Sequence, residues 1–144
     1  MSKERLYIFD TTLRDGAQTQ GVHFSLDEKT KIAHALDALG VDYIEGGWPG
    51  ANPSDTEFFQ KGLNLKNSTF TAFGMTKKAG RSAENDPGLS AILNSNTTSV
   101  CLVGKAWDFH VDVALGISKE ENLENISETT KHFVKNNKEF MFDA

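Results

Sequence analysis

Leu6-Tyr7-Ile8-Phe9-Asp10-Thr11-Thr12-Leu13-Arg14-Asp15-Gly16-Ala17-Gln18 starts as an apolar run and turns abruptly polar at Asp10. β-Branched and aromatic content in the first four residues predicts a buried strand. The residues after it crowd hydroxyls, a guanidinium and two carboxylates at one strand end. Downstream, Ser25-Leu26-Asp27-Glu28 has the form of a capping box, in which a hydroxyl accepts a free backbone N–H and the glutamate reaches back. It opens a helix with Ile32, Ala33, Leu36 and Leu39 on one face and Gly40 placed to end it in a left-handed turn. The alternation then repeats. Strands are predicted at 41–45, 69–73, 99–103 and from 139. Between them come a helix after Pro53 carrying Phe58, Phe59 and Leu63, and a short one with Leu89, Ile92 and Leu93. A helical stretch follows from Asp108 to Gly116, then a longer helix at 118–136 with Leu123, Ile126, Thr130, Phe133 and Val134 as its buried side.

Five apolar strands separated by four helical connections predict α/β architecture and a parallel sheet joined by right-handed crossovers. Two folds share that signature. An open flavodoxin-type sheet of five strands would be complete at this length, whereas an eight-stranded (β/α)8 barrel needs about 250 residues. In both, the carboxyl ends of the strands carry the site.

Composition narrows the function classes. The chain has 144 residues, with 15 Lys+Arg against 20 Asp+Glu, a net charge of −5. An acidic chain whose densest basic cluster is Lys77-Lys78 with Arg81 argues against nucleic acid, because phosphate binding needs a basic face. No apolar run approaches the roughly 20 residues of a membrane helix, and the first residues do not lead into a signal-peptide core. The lone cysteine, Cys101, cannot close an internal disulfide, and a cytoplasmic location is expected.

Each strand-end loop offers chemistry and a plainer alternative. Asp10 to Gln18 reads as a metal or oxyanion site, with a carboxylate on a hard cation and Arg14 facing developing negative charge, or as a solvated turn with a local Arg–Asp pair. Glu45, at a strand's last position beside Gly46-Gly47, can hold an arginine from the neighbouring strand end, or simply close a tight strand-to-helix connection. Met75-Thr76-Lys77-Lys78 offers a cation to an anionic substrate, or a solvated edge. Lys105, Asp108 and His110 share one loop-to-helix segment, where a histidine is commonly a cap or a packed residue. The four histidines show no H-x-H or H-x-x-x-H spacing, so local spacing assembles no transition-metal site.

Two segments together are more specific than either alone. Asp10-Thr11-Thr12-Leu13-Arg14-Asp15-Gly16-Ala17-Gln18-Thr19-Gln20-Gly21 and Tyr43-Ile44-Glu45-Gly46-Gly47-Trp48-Pro49-Gly50-Ala51-Asn52-Pro53 closely resemble the amino-terminal barrel of the 2-isopropylmalate synthase, homocitrate synthase and citramalate synthase family. The resemblance implies an HMGL-like, pyruvate carboxyltransferase type of TIM barrel. Ala17, the Gly-Gly-Trp-Pro continuation and Arg81-Ser82-Ala83-Glu84-Asn85-Asp86-Pro87-Gly88 look most like the citramalate synthase branch. The resemblance runs over essentially the whole chain. It implies that residues 1–144 are the amino-terminal portion of one TIM-barrel catalytic domain, the first half of a (β/α)8 barrel that stops after about five strands. The remaining strands and any regulatory domain lie outside it.

The implied activity is that of an acyltransferase, a metal-assisted Claisen-type condensation of acetyl-CoA with a 2-oxo acid. Pyruvate giving citramalate, in isoleucine biosynthesis, is the expected reaction; 2-isopropylmalate or homocitrate synthase, and a non-catalytic flavodoxin-like binding module, are the alternatives. By the same resemblance Asp15 matches the divalent-metal ligand, the metal being Mg2+, Mn2+ or Zn2+. Arg14 matches the arginine on the keto oxygen that becomes an alkoxide, and Glu45 the acid that holds it. Gln18 would line the pocket, and His110 lies near the histidine the branch keeps beside the site. Small-molecule partners, no nucleic acid, no membrane and a homodimeric full-length enzyme are expected. One departure stands out: the family's other metal ligands come from an H-x-H pair and an Asn on later strands, and this chain has no such pair. One carboxylate is far short of the six or so oxygen ligands a hard cation takes, so the 144 residues alone are expected to show no turnover.

Overall fold

Every principal helix starts where the sequence supplies a cap. In the computed structural model, which describes residues 4–144, Ser25 Oγ accepts the Glu28 N–H while the Glu28 carboxylate accepts the Ser25 N–H, the complete reciprocal box. It opens α1 (Leu26–Leu39), which ends at Gly40 in the left-handed conformation with φ 87°. Asn52 caps α2 (Pro53–Lys61) and Asp86 caps α3 (Pro87–Leu93), each with proline in the first turn, where a missing N–H costs nothing. A short helix α4 (Asp108–His110) runs into a π-helical turn at Val111–Leu115, and Ser118 caps α5 (Lys119–Lys135).

Strands β1 (Phe9–Asp10), β2 (Tyr43–Gly47), β3 (Thr69–Met75), β4 (Ser99–Val103) and β5 (Glu139–Asp143) are all parallel and lie side by side in the order 1-2-3-4-5. That order decides between the two architectures. A flavodoxin-like sheet reverses direction after its first strands, which sends helices to both faces. An order that never reverses, with right-handed crossovers, keeps the helices on one face and lets the sheet curl. The curl is directly visible. Tyr43 Oη on β2 donates to Glu139 Oε1 on β5 at 2.8 Å, across three strand spacings that would span about 14 Å in a flat sheet. The fold is therefore half of a TIM barrel, and a flavodoxin-like module is excluded.

Period-two alternation divides each strand between two environments. Ile44, Phe70, Ala72, Val100 and Leu102 face the helices and pack with Phe58, Phe59, Leu89, Ile92 and Phe133 into one core. Phe59 stacks on Phe70 with ring centroids 4.7 Å apart. The alternate residues, Glu45, Cys101, Met141 and Asp143 among them, line the concave face.

Three expectations are corrected. Leu6, Tyr7 and Ile8 are exposed, at 83%, 59% and 56%, rather than buried in a strand. β1 is an edge with β2 as its neighbour and pairs only through Phe9 and Asp10; ahead of that pairing the Ile8 backbone still bonds Asp42 and Tyr43, while the side chains face outward. On α1, Leu39 is exposed while Lys29 and Asp37 are buried with Ala33. On α5, Leu123 and Val134 face solvent, and the buried stripe is Asn122, Asn125, Thr129 and Phe133. Polar residues sit there because α5 crosses loop backbone that needs partners. Asn122 Nδ2 donates to the Lys105 carbonyl, and Thr129 Oγ1 accepts the Lys77 N–H. Among the described residues no helix is long and apolar enough to cross a membrane.

Candidate functional site

The loop after β1 is wound tightly. The Thr11 carbonyl accepts N–H bonds from Arg14, Asp15 and Gly16, and a single 3-10 turn at Gly16–Gln18 follows. Leu13, with no exposed surface, anchors the loop in the core. The adjacent Arg14 is thereby held over the carboxyl ends of the strands. Its Nε donates to Glu45 Oε2 at 2.6 Å, its Nη1 to Asp15 Oδ1 at 3.2 Å, and the guanidinium lies 4.0 Å over the Phe73 ring. Two bonds and a stacked ring face leave the planar fork a narrow range of orientations. Among the described residues Arg14 Nη2 carries no hydrogen bond.

Glu45 is 1% exposed. Burial pushes its carboxyl above the usual range, and the charge and hydrogen bond of Arg14 oppose that rise. It sits two residues before the end of β2 rather than at its last position. Cys101, facing the same space from β4, has its thiol pushed up to about 12 by burial first and then by the Glu45 carboxylate. Arg14, Asp15, Glu45, Cys101, Met141 and Asp143 border a concavity of about 520 Å³ on the inner face. A second cavity of about 360 Å³ opens on the other side of Arg14, lined by Gln18, His23, Lys29, Trp48 and Asp55. An arginine between two cavities, one nitrogen unengaged, is arranged to meet an anionic or carbonyl oxygen.

The structure thus brings Arg14, Asp15 and Glu45 together and places Gln18 in the adjoining cavity. His110 lines neither; it is exposed, with its ring 4.6 Å from that of Trp107. Lys77 is neither a solvated edge nor a free cation. It is buried, 3.0 Å from Glu128, and also donates to the Arg81 carbonyl. Among the described residues no three His, Cys, Asp or Glu side chains converge on a point where a metal could sit. Asp15 is alone in that respect and its side chain is 60% exposed. A hard cation takes about six oxygen ligands, so these residues do not fit a divalent metal by themselves.

Sequence reasoning missed Lys29 and Asp55. Lys29 Nζ is 2.5 Å from Asp55 Oδ1 and donates to the Gly46 carbonyl at 3.2 Å, directly behind Glu45. A signal existed: Lys29, Ala33 and Asp37 recur every four residues, so helical periodicity alone places Lys29 on the buried stripe.

Comparison with known proteins bears on the family and the fold. The family model described as HMGL-like matches residues 5–144. The chain is 48% identical over 143 residues to the (R)-citramalate synthase of Aquifex aeolicus, covering 98% of this chain and 27% of that protein. It is 35% identical over 133 residues to 2-isopropylmalate synthase 1 of Caldanaerobacter subterraneus subsp. tengcongensis, covering 92% and 32%. The crystal structure of hydroxymethylglutaryl-CoA lyase from Pseudomonas aeruginosa superposes with a TM-score of 0.72 at 19% identity, covering 96% of this chain and 45% of that one. The chain therefore spans about a quarter of the length of the curated synthase and under half of the solved barrel.

Proposed function

We infer the function from the premise that this chain belongs to the HMGL-like family. Residues 1–144 form the amino-terminal portion of a TIM-barrel catalytic domain, and the whole protein is an acyltransferase that condenses acetyl-CoA with a 2-oxo acid. Pyruvate is the proposed acceptor and citramalate the product, as in isoleucine biosynthesis. The observation that carries this reading is the buried Glu45 clamping Arg14 Nε at 2.6 Å over the Phe73 ring.

Carbon–carbon bond formation at a ketone turns the keto oxygen into an alkoxide. A guanidinium fixed in advance by a buried carboxylate stabilises that charge without reorganising during the step. Glu45 fixes the plane of Arg14, and Asp15 engages a second nitrogen from the solvent side. That leaves Nη2 to face the oxygen. Gln18, in the cavity beside Arg14, is proposed to contact the acceptor. His110 is assigned no step, because its ring is turned to the surface with Trp107 and Phe109. A divalent metal (Mg2+, Mn2+ or Zn2+) would take Asp15 as one ligand only, with the others supplied from outside residues 4–144. For that reason the 144 residues alone are proposed to be inactive. The full-length protein is proposed to be a cytoplasmic homodimer acting on small molecules.

Acceptor choice rests on similarity. Identity to the Aquifex aeolicus citramalate synthase, 48%, exceeds the 35% to the 2-isopropylmalate synthase over a comparable span. Release of CoA thiol from acetyl-CoA, measured with pyruvate, 2-oxoisovalerate and 2-oxoglutarate in parallel with Mg2+ or Mn2+, tests it. The protein carrying this chain should turn over fastest with pyruvate, and residues 1–144 alone should not turn over. Faster release with 2-oxoisovalerate would make it a 2-isopropylmalate synthase, and turnover by the 144 residues would overturn the claim that the site is incomplete.

A further inference from the structure

The pairing of β2 with β3 slips between Glu45 and Gly47. Glu45 lies opposite Thr71 and Gly47 opposite Ala72, so Gly46 is an extra residue in a bulge. Bulges free backbone groups from the ladder and re-aim the neighbouring side chain. Here the bulge and the residues just after it are gripped by one ion pair, Lys29 buried and Asp55 partly so. Lys29 Nζ takes the Gly46 carbonyl at 3.2 Å and Asp55 Oδ1 at 2.5 Å, while Asp55 Oδ2 accepts the Trp48 N–H at 2.9 Å. The Lys29 ammonium lies 5.4 Å from the centroid of the Phe58 ring. Side chains are excluded from the bulge itself: a Cβ on Gly46 would strike the Phe70 ring, and one on Gly47, whose φ is +143°, would sit 2.6 Å from the Asp55 carboxylate.

The Lys29 charge serves no purpose within α1, and within α2 the Asp55 carboxylate adds a first-turn charge and an acceptor for Asn52 Nδ2 at 3.1 Å, beside a cap that is already made. The N-terminus of α2 is already capped by Asn52 Oδ1 on the Asp55 N–H at 2.7 Å, and Thr56 Oγ1 serves the Gly50 N–H at 3.0 Å. On α1 an apolar residue at position 29 would continue the stripe toward Ala33. A buried ion pair is also a poor way to add stability, since well-packed apolar replacements are often as stable or more so. What the pair adds is a hold on the Gly46 carbonyl and the Trp48 N–H, starting one residue from the carboxylate that clamps Arg14.

We propose that Lys29 and Asp55 are positioning residues: they lock the Gly46 bulge and thereby hold Glu45 in line with Arg14 Nε. The kinetic part of the test rests on the condensing activity proposed above; the labelling part does not. Both parts use the full-length protein carrying this chain and the charge-neutral double variant Lys29→Met with Asp55→Asn. The readouts are the melting temperature, kcat and KM for the 2-oxo acid, and the rate of Cys101 alkylation resolved by peptide mass spectrometry, since Cys101 lies beside Glu45.

A melting temperature within a few degrees of the parent, kcat lowered at least tenfold, KM changed less than threefold and Cys101 labelling accelerated at least tenfold support the proposal. A lost transition-state contact acts on kcat and leaves ground-state binding. An equally stable double variant with kcat and Cys101 labelling both within twofold of the parent overturns it. If the parent shows no condensation, the functional reading fails and the Cys101 rates alone decide the positioning. If the double variant does not fold, the isosteric Asp55→Asn is measured in its place, and the same twofold constancy overturns the proposal.

Discussion

Cys101 is a built-in reporter for the concave face, because it is the chain's single cysteine and its thiol is pushed up to about 12 by burial and the neighbouring Glu45 carboxylate. At pH 8 such a thiol is ionised to about one part in ten thousand, against about 0.24 for an ordinary cysteine near 8.5, a deficit of roughly 2,400-fold. The thiolate that does form is the better nucleophile. With a Brønsted slope of about 0.4–0.5 over 3.5 units it regains roughly 25- to 60-fold. The expected net slowing by ionisation is about 40- to 100-fold, before any steric hindrance is added. Labelling of the folded 144-residue chain with a chromogenic aromatic disulfide at pH 8, against the same chain in guanidinium, measures it directly. Glu45→Gln should accelerate the folded-state rate by removing the nearby charge. It should not bring that rate to the denatured level, because burial is the larger cause. A folded-state rate within threefold of the denatured control would refute the burial of Cys101 on the concave face, and a Glu45→Gln variant labelled no faster than the parent would refute its placement beside Glu45.

Three further outcomes are expected. Arg14→Lys keeps the charge but cannot hold Glu45, Asp15 and a substrate oxygen with one planar fork, so kcat in the protein carrying this chain should fall by about 10²- to 10³-fold; retention of more than a tenth of the parent rate with acetyl-CoA and pyruvate would remove Arg14 from the chemistry. Ser25→Ala deletes the hydroxyl that accepts the Glu28 N–H at 3.3 Å and should cost about 1 kcal/mol in urea unfolding, whereas no measurable loss would mean that the box contributes nothing. Asp37 receives backbone N–H bonds from Lys66, Asn67 and Ser68, which hold its carboxyl down at about 2 from 3.8. Its contribution is therefore complete above pH 3.8 and is lost as pH falls through about 2. Asp37→Asn should flatten the stability slope in that window, and an unchanged slope would show that those bonds do not persist in solution.

Much of this was legible in the sequence because it is local. Ser25 with Glu28 is a cap whose partner lies within three residues, Pro53 marks a first helical turn, and four of the five strands announce themselves by β-branched and aromatic runs. The Arg14–Glu45 pairing was legible as one of two readings of a carboxylate at a strand end, and the joint resemblance of two segments favoured it, since a salt bridge over 31 positions leaves no mark in spacing. The stripe on α5 misled because Leu123 and Val134 are apolar, yet the surface beneath the helix is loop backbone that demands the amides and hydroxyls of Asn122 and Thr129. Lys29 escaped notice for the same reason: a lysine is read as solvated until the carbonyl of a bulge and a facing carboxylate are known to lie above it. Periodicity could not choose between an open sheet and a barrel, because both bury the same faces. Strand order decided it.

That order also has a temporal meaning. Successive strands begin 26 to 40 residues apart and each pairs with the one synthesised just before it. At roughly 5–20 residues per second, about 1 to 8 seconds separate the emergence of one strand from the next, while closing a short loop takes well under a microsecond. The sheet can therefore grow from the ribosome one unit at a time, always offering its newest edge to the strand that follows. The Tyr43–Glu139 hydrogen bond, whose partners are 96 positions apart, must wait for the fifth unit, so the curvature of the wall is set at the end of that sequence of events.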